Sequence, residues 1–202
     1  MDNKVINVGS GKNMSLINEW DTVGITIVGV NNVWRGTDKW NHLIHAGDYP
    51  FVDEIPVTEG KKVHTHNSEM GYRDSYAGQA GMAWNTARIH LGLPMYFGAA
   101  HWSLWYLKPK YLAFIGFDMN YTPSEDGSTA FYGEGYDIQT RGIPDPLYQM
   151  RKIYGNDPDM LNKLFDRLDE TKGNTKLFNL SDDPSSVLPW ERITFDEFKE
   201  LE

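Results

Sequence analysis

The sequence predicts a single α/β domain with a mainly parallel sheet flanked by helices. Apolar runs at 24–30 and 111–116 are continuous rather than alternating, which is typical of strands buried on both faces. A short strand rich in β-branched residues at 5–8 and a short helical stretch precede the first run, so they form a βαβ unit with it, and such crossovers are almost always right-handed. The chain has 202 residues, of which 40% are hydrophobic, so one domain with a full core is expected. Together these features predict a Rossmann-like domain spanning residues 1–202.

The first strand runs into a glycine turn formed by Gly9, Ser10 and Gly11, and a short helix is predicted from Ser15 to Trp20. Glycine allows a tight turn, and a helix start presents N–H groups that suit a phosphate. Neither standard phosphate motif is present. The kinase loop lacks its first glycine and its Ser or Thr, and the dinucleotide fingerprint has Met14 in place of its third glycine. A nucleotide site and a plain strand-to-helix turn both remain open.

The next two predicted strands also end in polar residues. Strand 24–30 is followed by Asn31 and Asn32, and strand 40–46 is followed by Asp48. Asparagine carries a donor and an acceptor, which suits the edge of a base or ribose, but it is equally common in turns. Both interpretations of the two asparagines stay open.

The stretch from 51 to 74 gives a weak pattern, apart from His64 and His66. On a strand these two imidazoles would share one face and form half of a metal site, or they are ordinary histidines. The best helix pattern covers 77–91, and its small residues, among them Gly81, would allow a ligand or backbone to approach closely. Residues 95–107 are rich in aromatic side chains, which we expect in the core or in a subunit interface of a homo-oligomer.

Strand 111–116 is followed by Asp118 and Asn120. Four predicted strands therefore end in glycine or polar residues. The carboxyl ends of parallel strands meet at one edge of the sheet, and ligands bind there in open α/β sheets. We expect these ends to form one pocket for a charged mononucleotide.

A long loop is predicted over 122–149, where aromatic residues stand between glycines, and we interpret it as a lid that orders over the ligand. Asp157 and Pro158 then begin a helix that ends near Gly173. Its inward positions are Met160, Leu161, Leu164, Phe165 and Leu168. A last strand covers 176–180, with Asn179 and Ser181 at its exit, and a short acidic helix lies within 189–202.

Composition limits the possible partners. The net charge of -9 disfavours a nucleic-acid partner, because that affinity depends on Lys and Arg. The chain has no cysteine, which excludes disulfides and thiolate metal sites. No apolar run reaches membrane-spanning length and no secretory segment is recognised, so a cytoplasmic location is expected.

Four motifs carry a family resemblance: Val-Gly-Ser-Gly-x-x-x-Ser-Leu at 8–16, the strand ending in Asn31-Asn32, the helix 77–92 ending in Leu-Gly, and Ile-Gly-Phe-Asp at 115–118. In these the chain resembles the bacterial single-domain sialyltransferases that use CMP-sialic acid. A related family, which contains archaeal 6-hydroxymethylpterin diphosphokinases, is similar in skeleton. The resemblance covers residues 5–33 and 77–121.

The sialyltransferase resemblance implies a metal-independent direct displacement at the anomeric carbon of a nucleotide-sugar donor. It also implies that the glycine turn and the end of the second strand hold the nucleotide. Those family positions correspond here to Gly9, Ser10, Gly11, Ser15, Asn31 and the adjacent Asn32, with Gly81 and Asp118 nearby. The family steadies the leaving phosphate with tyrosine hydroxyls. Asn120 holds the first such place here, and Tyr121 and Tyr132 lie close in sequence.

One departure from that family concerns the general base. Those enzymes use a lid histidine, whereas this chain has no histidine after His101. The base would then be a carboxylate, with Asp118, Glu134, Asp137 and Asp145 as candidates. The resulting hypothesis is a nucleotide-sugar-dependent glycosyltransferase acting on a glycan or small-molecule acceptor. The alternatives are a pterin-type diphosphokinase, with Mg²⁺ near Asp118 and Asp48, and a non-catalytic nucleotide-binding protein.

Overall fold

The computed structural model describes residues 3–45, 49–65, 95–118 and 159–202. The strands in these segments form one sheet with the order β4-β3-β2-β1-β5-β6-β7, and every neighbouring pair is parallel. The strands are β1 (Lys4–Val8), β2 (Thr26–Val30), β3 (His42–His45), β4 (Lys62–Thr65), β5 (Tyr111–Ile115), β6 (Lys176–Asn179) and β7 (Glu191–Arg192). The predicted α/β domain with a parallel sheet is confirmed.

The sheet reverses its direction of winding at β1. From β1 the chain moves outward through β2, β3 and β4, and it then returns to the other side of β1 to add β5, β6 and β7. Val8, the last residue of β1, lies between Gly29 of β2 and Ile115 of β5. Adjacent connections diverge at this point, so a crevice is expected between the carboxyl ends of β1 and β5.

The helical segments between the strands are mostly short. In the described segments three are 3-10 helices (Lys12–Asn18, Asn31–Arg35 and Val52–Glu54), and the α-helices there are α1 (Met95–Trp102), α2 (Met160–Thr171) and α3 (Phe195–Glu200). A π-helical turn, Ser103–Leu107, follows α1 directly. The first helix begins at Lys12, before the predicted Ser15. It is a 3-10 helix, and in its first turn the Met14 N–H donates a hydrogen bond to the carbonyl oxygen of Gly11 over 3.0 Å.

Helices cover both faces of the sheet. Phe114 of β5 packs on Tyr96 of α1, and Phe178 of β6 packs on Phe198 of α3. Ala113 pairs with Phe178, and successive strand residues point to opposite faces, so α1 and α3 lie on opposite sides. This double cover explains why the strands read as continuous apolar runs.

The helices near the C-terminal end of the chain lie where they were predicted, although α2 begins at Met160 with Asp159 as its N-cap, and the predicted start at Asp157 and Pro158 lies outside the described residues. Leu164, Phe165 and Leu168 of α2 are buried as predicted, and Gly173 follows with a φ of +58°, the left-handed conformation that ends helices. Thr194 and Glu197 cap α3 reciprocally, since the Glu197 N–H donates to the threonine hydroxyl and the Thr194 N–H donates to the glutamate. Strand β7 was not predicted, because two exposed residues carry no periodic pattern.

Several predicted features lie outside the described residues: the helix at 77–91 with Gly81, the lid at 122–149, and Asp48. Among the segments that are described, none forms a helix long and apolar enough to cross a membrane. The aromatic side chains of 95–107 differ in burial. Tyr96, Phe97 and Trp102 are in the core as expected, whereas Trp105 and Tyr106 are each 47% exposed.

Candidate functional site

The carboxyl ends of β1 and β5 meet through their glycines. The Gly9 N–H donates to the carbonyl oxygen of Ile115, and the Gly11 N–H donates to that of Gly116, both over 2.8 Å. A Cβ added to Gly9 would lie 2.3 Å from the Gly116 carbonyl oxygen, and one added to Gly11 would lie 2.8 Å from it. Gly116 itself has a φ of +71°. The two strand ends therefore approach more closely than any side chain allows.

This contact gives both glycines a structural role. The sequence left open whether the turn is a phosphate site or a plain connection from strand to helix. In the structure the backbone of Gly116 fills the space beside both residues, and their N–H groups are bonded to β5 and the residue after it. Any ligand at this edge would therefore contact other groups of the turn, such as the partly buried Ser10.

Asp118, two residues after Gly116, is the carboxylate beyond the end of β5 and is 8% exposed. The hydroxyl of Ser181, which follows β6, donates to its Oδ1. The Nδ2 of Asn13, in the first 3-10 helix, lies 3.4 Å from the same Oδ1 and 2.5 Å from the Ser181 Oγ. Three separate connections, after β1, β5 and β6, thus bring one side chain each to the same point.

The hydrogen-bond partners of Ser181 fix the direction of its proton. Its Oγ accepts from the Asn13 amide and, over 3.1 Å, from the Asp183 N–H. A hydroxyl has two acceptor positions and one donor, so its proton is left for Asp118. Oδ1 of Asp118 is therefore held as an acceptor. Among the described residues no group hydrogen-bonds its other oxygen, Oδ2.

The loop after β6 fixes the backbone around Asp118. The Val187 N–H donates to the Asp118 carbonyl oxygen over 3.0 Å. Asn179 turns the loop through its Oδ1, which accepts from the Ser181 N–H over 2.9 Å, and its Nδ2 donates to Ser186. Asn13 carried no signal in the sequence, and Ser181 stood out only as a polar residue at the exit of a strand. Their relation to Asp118 depends on the order of the strands.

Replacing Ser181 by alanine is expected to lower the free energy of unfolding by about 2 kcal/mol. The change removes the donor to Asp118 and deprives the Asn13 amide and the Asp183 N–H of the Ser181 acceptor in a partly buried setting. Urea unfolding of the two proteins measures the difference. Ser185→Ala is the matched control, since Ser185 is exposed and we expect a change below about 0.5 kcal/mol. Equal losses in both variants would contradict the assigned network.

The end of β2 forms a second polar group beside the crevice. Asn32 is 2% exposed, and its Oδ1 accepts from the Tyr49 hydroxyl over 2.7 Å and from the Arg35 Nε over 3.3 Å. The Trp34 Nε1 donates in turn to Tyr49, and Arg35 forms an ion pair with Glu54. Burial raises the pKa of Tyr49, so its hydroxyl stays a donor to Asn32. The carboxamide oxygen of Asn32 is thus used within the protein.

The other predicted site residues are placed as follows. Asn31 adopts a left-handed backbone with a φ of 46° at the end of β2, beside β1 at the same edge of the sheet. Ser15 is exposed, and its hydroxyl lies 3.4 Å from the Lys12 carbonyl oxygen. The remaining candidates lie outside the described residues: Gly81, Asn120, Tyr121, Tyr132, Glu134, Asp137 and Asp145.

His64, one of the two histidines considered for a metal half-site, contacts a histidine of the neighbouring strand. His64 lies on β4 with its Nε2 3.0 Å from the Nδ1 of His42 on β3, whereas His66 is outside the described residues. Trp102 packs against both rings at 5.0 and 4.8 Å. Among the residues that the structure describes, no three His, Asp or Glu side chains are grouped to hold a metal ion.

The free energy of unfolding is expected to decrease as the pH falls, because of this histidine pair. Burial, followed by the positive charge of His42, lowers the pKa of His64 to about 4, against about 6.5 in an unfolded chain. Between these values the unfolded chain binds the extra proton, so the free energy of unfolding falls as the pH falls. The slope is up to about 1.4 kcal/mol per pH unit, or about 3 kcal/mol in all.

Urea unfolding of the protein and of His64→Gln at several pH values between 4 and 7 measures this contribution. Carboxylates also titrate at the acid end, so the quantity of interest is the difference between the two proteins. Between the folded and unfolded pKa values of His64, we expect the slope of this free-energy difference against pH to correspond to the binding of about one proton. Parallel pH profiles would exclude His64 as the titrating group.

The fold and this edge of the sheet define a class, a single α/β domain of Rossmann-like topology with a carboxylate at its topological switch point. Comparisons with protein-family models, with curated proteins and with solved structures found no match to this chain.

Proposed function

We propose that this chain is a nucleotide-sugar-dependent glycosyltransferase, similar to the sialyltransferases, in which Asp118 is the general base. The donor nucleotide would lie across the carboxyl ends of β1, β2 and β5. The acceptor, a glycan or a small molecule, would lie on the Asp118 side, under the segment 122–149. The reaction would be a direct displacement at the anomeric carbon without a metal ion.

The position of Asp118 supports this proposal first. It lies after the carboxyl end of β5, where the connections that follow β1 and β5 lead to opposite sides of the sheet, which is the usual ligand position in an open parallel sheet. The adjacent end of β2 contributes Asn31 and Asn32 to the same edge. Asn31 could contact the base or ribose of a nucleotide, as the resemblance to the sialyltransferases implies. Asn32 is buried and its Oδ1 accepts from Tyr49 and Arg35, so it would support the strand end rather than contact the nucleotide.

The single observation that carries the proposal is the asymmetric hydrogen bonding of the Asp118 carboxylate. Oδ1 is held by Ser181 and Asn13, while no described residue hydrogen-bonds Oδ2. A general base needs an oriented carboxylate with one oxygen available for the proton of the substrate. A purely structural carboxylate would be expected to use both oxygens inside the protein.

The proposed step balances simply. The oxygen of the acceptor hydroxyl attacks the anomeric carbon, and Oδ2 of Asp118 takes the proton of this hydroxyl. The bond from this carbon to the nucleotide phosphate breaks, and the nucleotide leaves with the electron pair. Asn120, Tyr121 and Tyr132 are the candidates to donate hydrogen bonds to the leaving phosphate, and Glu134 is the second candidate for the base.

The test has two stages. A thermal-shift screen with CMP, UDP, GDP and ATP is expected to give one nucleotide that stabilises the protein. Turnover is then measured with the corresponding nucleotide sugars, in EDTA and in Mg²⁺, by release of the nucleotide. Release that persists in EDTA supports the proposal. Turnover of ATP that requires Mg²⁺ would favour the diphosphokinase, and binding without any turnover would favour the non-catalytic protein.

A further inference from the structure

A second groove lies at the opposite edge of the sheet from Asp118. It is an open cavity of about 780 Å³ between the amino ends of β1, β5 and β6 and the last turns of α2 and the π-helical turn. Trp105 and Pro109 form its apolar side, and Lys108, Lys110, Lys172 and Asn174 line the polar part. Its volume is in the range of small-molecule sites, which bury apolar ligand surface against a few polar groups.

Trp105, on the wall of this groove, is unusually exposed for a tryptophan. Six large hydrophobic side chains are exposed among the described residues, and four of these are valines. The other two are Trp105 and Tyr106, consecutive residues of the π-helical turn and each 47% exposed. Other tryptophans of the described segments, such as Trp40 and Trp102, are in the core. An exposed indole on the wall of a groove offers a flat surface for a ring.

The side chains that line the groove carry positive charge, and the ammonium of Lys108 is available to pair with a ligand. All the ionisable side chains that line it are lysines, although the chain has a net charge of -9. Lys172 pairs with Asp169, and Lys110 donates to the carbonyl oxygen of Glu202. Lys108 lies beside Trp105, and its ammonium has no hydrogen-bond or ion-pair partner among the described residues.

Helix ends account for part of this pattern. Lys108 follows the π-helical turn and Lys172 follows α2, and a cation at a helix C-terminus is favourable by itself. The conformation of Lys108 shows a further constraint. Its φ of 52° and ψ of 53° are left-handed, where glycine would be the unstrained residue. A lysine at this position keeps a charge in the groove at the expense of local strain.

We propose that this groove binds a small anion that carries a flat ring. The ring stacks on the indole of Trp105, and the anionic group pairs with the ammonium of Lys108. Asn174 and the backbone around Pro109 complete the site. This site is independent of the crevice at Asp118, because the two lie at opposite edges of the sheet.

The test measures the binding of 4-fluorobenzoate to the full chain, with fluorine NMR as the detection method. We expect saturable binding to the unmodified protein. Trp105→Ala and Lys108→Gln should each weaken it at least fivefold, since one removes the ring partner and the other only the charge. The neutral 4-fluorobenzamide should bind at least fivefold more weakly than the benzoate. Asp118→Asn is the matched control and should leave the affinity within twofold.

Lys108→Gly separates binding from folding. Glycine relieves the left-handed strain, so the melting temperature should not fall, while the affinity for 4-fluorobenzoate should drop at least fivefold. Absence of saturable binding, or affinity unchanged in both Trp105→Ala and Lys108→Gly, would overturn the proposal. Equal binding of the benzoate and the benzamide would overturn the anionic requirement. None of these outcomes depends on the activity proposed for the crevice.

Discussion

Asp118→Asn is expected to lower glycosyl transfer by about 10³-fold, in the range that a general base contributes. Asparagine keeps the shape of the side chain and retains an oxygen that accepts from Ser181, so the network around it should persist. It cannot accept the proton of the acceptor hydroxyl. The affinity for the nucleotide is therefore expected to stay within about twofold, because the change acts on the chemical step. Nucleotide release and calorimetry measure the two effects.

The matched control for this variant is Asp182→Asn. It makes the same change of charge on an exposed residue next to Ser181, and turnover should stay within about twofold. Equal losses of turnover and nucleotide affinity in Asp118→Asn would make Asp118 a structural or binding residue. An active Asp118→Asn enzyme would move the base to Glu134 or another carboxylate of the segment after Asp118.

Gly9→Ala is expected to lower the free energy of unfolding by about 3 kcal/mol, the upper part of the range for overpacking. The added Cβ would lie 2.3 Å from the Gly116 carbonyl oxygen and 2.8 Å from its carbonyl carbon. These are backbone atoms of the neighbouring central strand and not the end of a flexible side chain. The strands would have to separate, which would also weaken the 2.8 Å bond from Gly9 to Ile115. Urea unfolding measures the loss.

Gly60→Ala provides the contrast for Gly9→Ala. Gly60 has a φ of +83° and no atom within 4 Å of an added Cβ, so alanine is strained there but meets no neighbour. We expect a loss of about 1 kcal/mol. If both variants lose the same amount, the close approach of β1 and β5 is not what requires glycine at position 9.

The case of Gly9 shows where sequence reasoning was incomplete. The strand and the glycine turn were predicted at the correct place and the helix three residues too late, and the turn was left open between a phosphate site and a plain strand-to-helix connection. The nearest neighbour of the turn is Gly116, more than one hundred residues later in the chain. A local pattern cannot indicate such a partner, because the requirement for glycine arises only when β5 pairs with β1.

The histidines also show the effect of strand order. The structure pairs His64 with His42 on the neighbouring strand, a contact that the spacing of His64 and His66 could not indicate. The same holds for Asp118 in the candidate site. The sequence predicted its position at the end of a buried strand, but it did not identify Asn13 and Ser181 as its hydrogen-bond partners.

The sequence by itself determined the class of fold, the strands β1, β2, β3, β5 and β6, the helix α2 and the shared edge at which parallel strands end. These follow from burial periodicity and turn residues, which act over a few neighbouring positions. The tertiary structure decided the strand order, the contact of Gly9 with Gly116, the partners of Asp118 and the groove beside Trp105. Each of these joins residues far apart in the chain, and their proximity depends on how the strands are ordered in the sheet.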